Sequence, residues 1–295
     1  MNKPGCPPIV GVIGGSGLYE IDGLTDVREE MVETPYGAPS DNLIIGSLEG
    51  QTVVFLPRHG RGHKHSPTSL NFRANIDAMK RLGVTEIISL SAVGSLREDL
   101  APGDFVIIDQ FIDRTFAREK SFFGKGCVAH VSMADPTCRR LGDAIQAAAV
   151  ASDIPIKQGG TYLVMEGPQF STRAESNLYR QWGCDVIGMT NMPEAKLARE
   201  AEICYATIAM VTDYDCWHED HDDVSVEVVI RVLMANAEKG RILVKELAPR
   251  LANRTESCHA GCQTALDTAL ITAPEVRDPT VMARLDAVAE RVLRG

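Results

Sequence analysis

Ile9-Val10-Gly11-Val12-Ile13-Gly14-Gly15-Ser16-Gly17 is the stretch on which the reading of the fold turns. An apolar run too short for a helix leads into a glycine-rich turn, the pattern of a buried strand followed by backbone that a ligand can approach closely. The free amides of that turn and the Ser16 hydroxyl can cradle an anion. A dinucleotide fingerprint would instead place its glycines as G-x-G-x-x-G at the start of a helix. Here they fall as G-x-x-G-G-S-G from Gly11 and run into Leu18-Tyr19-Glu20-Ile21, so this segment alone leaves an anion site and a plain tight turn both open.

Outward from this strand, the pattern alternates. Leu43 to Leu48 and Thr52 to Leu56 read as a hairpin turned at Glu49-Gly50, and a helix follows from Ser69 to Leu82 with Gly83 as its stop. Further strands are expected at Glu86 to Leu90, Phe105 to Asp109, Tyr162 to Glu166, Asp185 to Met189 and Ile203 to Val211. Helices fit at Pro136 to Ala151, Arg173 to Trp182, Pro193 to Glu200 and Ser225 to Leu247. Such alternation is the mark of an α/β protein with a mostly parallel sheet covered by helices on both faces. No internal repeat or linker interrupts it, so one domain is expected over 1–295, with a core at about 9–247.

The chain has 295 residues, 44% of them hydrophobic and 24% charged, enough for a sizeable core. A net charge of -10 and a pI of about 5.2 argue against nucleic acid or an acidic membrane as partner. Residues 1–8 contain one Lys and no apolar leader, and no long apolar run follows, so a cytoplasmic location is expected. The cysteines at 6, 127, 138, 184, 204 and 216 are scattered. Cys258-His259-Ala260-Gly261-Cys262 holds three potential metal ligands but no downstream pair to complete a tetrahedral site. A local disulfide or two ordinary thiols is the expectation, and no metal.

Four segments can carry chemistry. The first is the Gly14 to Gly17 turn. In the second, Pro57-Arg58-His59-Gly60, the arginine fork matches phosphate oxygens and the histidine adds a donor, while Arg61, Lys64 and His65 read as a solvated basic turn. The third, Ser91-Ala92-Val93-Gly94-Ser95, is expected just past a strand, where small residues let an anion reach backbone and hydroxyl donors. The fourth gathers Glu166-Gly167-Pro168-Gln169-Phe170-Ser171, Gly188-Met189-Thr190-Asn191 and Thr212-Asp213-Tyr214-Asp215. Hydroxyls, a methionine, an aromatic ring and two carboxylates thus follow predicted strands, where open α/β sheets hold ligands.

Together with Pro102-Gly103-Asp104 and Asp109-Gln110-Phe111-Ile112-Asp113-Arg114, these motifs resemble the trimeric branch of the purine nucleoside phosphorylase superfamily, in order from about residue 9 to 247. The resemblance implies a single-domain α/β fold with a mixed central sheet, a helical extension at about 258–295, and a homotrimer or a dimer of trimers. It also implies phosphorolysis of 5'-methylthioadenosine, with inorganic phosphate as co-substrate and no cofactor. By the same resemblance, Ser16, Arg58, His59, Ser91, Ala92 and Thr190 hold phosphate, Met189 and Phe170 face the sugar, and Ser171, Asp213 and Asp215 face the base. Phosphorylases of methylthioinosine or of inosine and guanosine are the alternatives, and a dinucleotide-binding protein a distant one.

Residue chemistry bears on that choice. A purine leaving from C1' needs an acid, and a carboxyl in a desolvated pocket is raised toward its protonated form, which assigns Asp213 to that role. A 6-amino group donates to a carboxylate, whereas a 6-oxo purine presents an acceptor, so Asp213 and Asp215 favour adenine. Val226 and Ile230, one turn apart, offer a methylthio group an apolar seat, although core packing of a long helix would also use them. His63 and His130 read as loop histidines, and Trp182 and Trp217 as core or interface residues.

Overall fold

Eleven strands form one sheet in the computed structural model, which describes residues 8–15, 18, 20–218, 226–252, 258 and 260–293, without the side chains of 226–229. In chain order they begin with β1 (Ile9–Gly14), β2 (Leu24–Glu30), β3 (Leu43–Leu48) and β4 (Gln51–Pro57), followed by helix α1 (Phe72–Arg81). Next come β5 (Val84–Ser95), β6 (Phe105–Ile108), β7 (Gln110–Asp113), α2 (Arg139–Ala151), β8 (Ile156–Gln158) and β9 (Thr161–Val164). The chain continues through α3 (Arg173–Gln181), β10 (Val186–Gly188), α4 (Asn191–Glu200), β11 (Cys204–Asp213) and α5 (Val226–Ala252), then the short α6 (Pro279–Arg284) and α7 (Glu290–Leu293).

The sheet is mixed. β1 runs parallel to β4 and β5, and β11 parallel to β5, whereas β10 and β6 lie antiparallel to β5 and β11. β5 pairs with β1, β10 and β11 because its length lets different segments meet different neighbours. Successive residues in it face opposite layers. Ile87 packs with Ile76, Met79 and Leu197 on the α1/α4 side, and Ile88 with Ile145, Leu243 and Leu247 on the α2/α5 side, as the two-residue pleat requires. Both faces of the sheet are therefore buried, which explains why the central strands read as continuous apolar runs.

The hairpin is as expected: Leu48 pairs with Gln51, and Glu49 and Gly50 both adopt positive φ, 48° and 82°, the requirement of a two-residue turn between twisted strands. Helix α1 starts at Phe72 rather than Ser69, because the Asn71 side chain accepts from the Ala74 amide and caps it there. The segment Ser91 to Ser95 does not follow a strand but completes β5. β2, β7 and β8 were not anticipated; β2, LTDVREE, is an exposed strand with no apolar alternation to signal it.

Candidate active site

A cavity of about 510 Å³ opens where the chain leaves β4, β9, β10 and β11 and along the last residues of β5. Its size suits a small organic ligand. Ala92, Val93, Ile187, Met165, Met189, Pro168, Phe170 and Leu233 form apolar wall, and His59, Thr190, Asp213 and Asp215 are among its polar groups. Segments far apart in sequence meet here because the loops at one edge of the sheet converge.

The carboxyl end is built by close approach to β5. A Cβ on Gly94 would lie 2.8 Å from Asp213 Oδ1 and 3.4 Å from Asp215 Cβ, so only glycine leaves room for the pair. Thr212 Oγ1 donates to Asp213 Oδ2 at 2.7 Å, and the Asp215 amide to Asp213 Oδ1 at 2.8 Å. Burial raises the Asp213 carboxyl above its usual range, against those two bonds. Asp215, 5% exposed, is pushed up to about 6 by burial, with the charge of Asp213 adding to the rise. Its Oδ2 is buried without a hydrogen-bond partner among the described residues. Burial thus favours the protonated form of both carboxyls, the condition for one of them to act as an acid.

A second polar group reaches the cavity through Thr190. Behind it, outside the lining, the Ser91 hydroxyl is 3.1 Å from that of Thr190 and 3.0 Å from the Tyr162 hydroxyl. Thr190 stands at the N-cap of α4 but makes no capping bond with its side chain, which leaves its hydroxyl for other partners. His59 lies with Nδ1 2.9 Å from the His65 carbonyl oxygen, so that nitrogen donates, and the ring stacks on His63 at 4.2 Å between centroids. Burial depresses the His59 imidazole to about 4, which leaves the ring neutral near pH 7.

Arg58 departs from the expected phosphate fork. Its Nε and Nη2 donate to the Glu194 carboxylate at 2.8 and 3.0 Å, Nη2 also to Ser89 Oγ and the Ile13 carbonyl, and Nη1 to the Leu90 carbonyl at 2.9 Å. The two-pronged face that would grip phosphate is spent on Glu194, which also accepts from Ser89 and Tyr205. A buried arginine takes a carboxylate within reach, and sequence could not reveal Glu194, 136 residues away, as that partner.

The other expected residues divide. Met189, Phe170 and Ala92 line the cavity; Ser171 sits at its margin, its hydroxyl 3.5 Å from Met165 Sδ. Ser16 lies outside the described residues, as does the side chain of Val226. Ile230 is 48% exposed and Leu233, three residues on along α5, supplies the cavity wall instead. His63 and His65 also line it, so the solvated-turn reading of His65 is corrected; its carbonyl anchors His59. Arg61 does pair at the surface with Glu29 and Asp41. His130 is exposed, and its amide donates to the Ala269 carbonyl.

Sequence reading missed Arg118. From a charged loop it donates to Glu166 Oε1, to the Glu166 carbonyl, and to the Met189 and Met192 carbonyls, tying together two walls of the cavity. Burial would raise Glu166, but bonds from Thr68, the Phe116 and Ala117 amides and Arg118 hold it at about 2. Nothing distinguishes Arg118 from its solvated neighbours in Arg114-Thr115-Phe116-Ala117-Arg118-Glu119-Lys120 until the fold is known. The isolated cysteine pair is likewise corrected: Cys138 and Cys204 lie against Cys258 and Cys262 in one buried cluster, because the turn after α5 returns to the sheet beside the start of α2.

Comparison with known proteins agrees with this architecture. The family model described as "Phosphorylase superfamily" matches residues 9–249. The chain is 63% identical over 287 residues to the S-methyl-5'-thioadenosine phosphorylase of Cereibacter sphaeroides, covering 97% of this chain and 99% of that one. It is 64% identical over 286 residues to the enzyme of the same name from Rhodospirillum rubrum, covering 97% of each. Among solved structures, a methylthioadenosine phosphorylase from an antarctic soil metagenomic library superposes with a TM-score of 0.90 at 49% identity, covering 97% of this chain and 99% of that one. The methylthioadenosine phosphorylase of Schistosoma mansoni in complex with adenine does so with a TM-score of 0.81 at 36% identity, covering 94% and 98%.

Proposed function

The chain belongs to the phosphorylase superfamily, and on that premise we propose that it catalyses phosphorolysis of 5'-methylthioadenosine to adenine and 5-methylthioribose 1-phosphate. The observation that carries this reading is the buried carboxyls Asp213 and Asp215, both raised by burial, in one apolar cavity with the neutral His59 and the Thr190 hydroxyl.

In the reaction a phosphate oxygen forms a bond to C1' as the C1'–N9 bond breaks, and the bonding pair leaves with the purine. Asp213 gives N7 the proton that quenches the charge, and Asp215, whose Oδ2 has no partner among the described residues, accepts from the 6-amino group. Phosphate is held by the hydroxyls of Thr190, Ser91 and Ser16, by backbone at Ala92, and by His59, which gains a proton as the anion arrives. Arg58 positions this end through Glu194 and the backbone of β1 and β5. Met189 and Phe170 wall the sugar, Ser171 borders the base, and Leu233 of α5, with Val226, takes the methylthio end.

The reaction uses no metal or organic cofactor. Exposed Phe116, Ile271 and Val276, at 82%, 65% and 68%, support burial in a homotrimer or a dimer of trimers. One domain carries the activity, and the protein works in the cytoplasm; no helix among the described residues is long and apolar enough to cross a membrane. Free base released from methylthioadenosine, adenosine and inosine, with and without phosphate, tests the assignment. Phosphate-dependent adenine release with methylthioadenosine preferred is expected. Release without phosphate, or a preference for inosine, overturns it.

A further inference from the structure

Away from the nucleoside cavity, four thiols from three parts of the chain converge. Cys138 is the N-cap of α2, with its side chain not used in capping; Cys204 is the first residue of β11; Cys258 and Cys262 follow α5. All four are buried, at 1%, 0%, 7% and 1% exposure, and their sulfurs lie within 4.8 Å of one another. Cys258 Sγ is 3.3 Å from both Cys138 Sγ and Cys262 Sγ.

This arrangement matches one tetrahedral ion better than any set of pairs. Zinc bound to sulfur at about 2.3 Å sets its ligands about 3.8 Å apart, inside the range seen here. A disulfide needs one partner per sulfur at about 2.0 Å, and Cys258, equidistant from two, singles out neither. The mutual distances also leave no space for the inorganic sulfides of an iron–sulfur cluster. All-thiolate ligation in a closed, tetrahedral group is the mark of structural zinc, and hard cations do not choose it.

The surroundings supply cationic partners. Arg199 Nη1 donates to Cys262 Sγ at 3.4 Å, and the Arg140 guanidinium, which pairs with the Glu86 carboxylate, lies beside Cys204 and Cys138. Four thiolates around a divalent ion carry two net negative charges; Arg199 offsets one, and Arg140, shared with Glu86, screens the remainder in part. Gly261, at φ 63°, turns the C-x3-C loop, and its amide donates to the Cys258 carbonyl, so both sulfurs face one point. A cavity of about 830 Å³ that borders Cys138, Arg140, Ala206 and Ala260 offers the ion an entry path.

We propose that Cys138, Cys204, Cys258 and Cys262 bind one structural zinc ion that fastens the segment after α5 to the sheet and to α2. None of the four lines the nucleoside cavity, so the ion serves the fold and takes no part in the reaction.

The test is metal analysis of the untagged full-length protein, purified without chelator, alongside Cys258→Ser/Cys262→Ser and a Cys216→Ser control. About one zinc per chain is expected in the parent and the control, lost from the double variant with a fall in Tm. Cobalt substituted into the parent should show the intense visible bands and thiolate charge-transfer band of a tetrahedral sulfur site. If the double variant does not fold, this cobalt spectrum decides: octahedral, weak bands overturn the proposal. Parent protein free of metal overturns it too, whether its thiols all titrate after denaturation or its mass shows disulfides. Stoichiometric zinc retained in the double variant, or a different ion at that stoichiometry, also overturns it.

Discussion

Replacing Asp213 with Asn separates the chemistry of the carboxyl pair from its packing. The structure indicates that the amide fits. With its oxygen in place of Oδ1 it accepts from the Asp215 amide, and its NH2 then faces Thr212 Oγ1, which can turn its proton to the Val93 carbonyl, 3.2 Å away. No buried donor is stranded and no charge is lost that the fold favours, since burial already disfavours the Asp213 carboxylate, so stability should change by less than about 1 kcal/mol. An amide cannot give N7 a proton. Loss of the general acid should lower kcat/KM for methylthioadenosine by about 10² to 10⁴, or about 3 to 5 kcal/mol of transition-state stabilisation. Activity on 6-oxo nucleosides should fall less, because the amide NH2 donates to O6. The parent profile adds a second readout: burial raises the Asp213 carboxyl, so kcat/KM should decline about tenfold per pH unit once that group loses its proton, and this limb should vanish in the variant. The assay is kcat/KM for methylthioadenosine and inosine across pH, with Tm measured alongside. Parent-like activity, an unchanged ratio between the two substrates, or a persisting limb in Asp213→Asn would refute the reasoning.

Arg58→Ala strands the buried Glu194 carboxylate and should cost about 3 to 5 kcal/mol, lowering Tm by about 10 °C, with Arg58→Met/Glu194→Gln recovering much of it. A parent-like Tm combined with a selective rise in the phosphate KM would return Arg58 to the role of clamp. Glu200, buried and accepting from Ser121 Oγ and the Phe122 amide, is raised from about 4.5 to about 7 by burial. A carboxyl raised by folding contributes stability that is complete below its unfolded pKa and lost as pH rises through the folded one. Denaturant unfolding should therefore weaken by about 1 kcal/mol per unit between pH 5 and 7, and Glu200→Gln should flatten that slope; equal slopes in parent and variant would count against it.

The elements that sequence could determine are those whose signals are local. Apolar runs such as Val10 to Ile13 and Ile87 to Leu90, the Glu49-Gly50 turn and the amphipathic α3 each contain their own cause, and the loops holding Met189, Thr190, Asp213 and Asp215 follow from where strands end. The motif resemblance likewise needs only order and spacing. What tertiary structure decided is which partner a polar group finds. Arg58 reads as a phosphate fork until Glu194 is beside it, Arg118 reads as one more surface charge until Glu166 and Met189 close around it, and Ile230 reads as cavity wall until the turn of α5 presents Leu233. The four cysteines show it most plainly: separations of 66 and 54 residues divide Cys138, Cys204 and Cys258 along the chain, and only folding brings their sulfurs within 4.8 Å. Hydrogen bonds, ion pairs and metal ligation act over a few ångströms, and residues that distant in sequence come within that range only when the whole sheet has assembled.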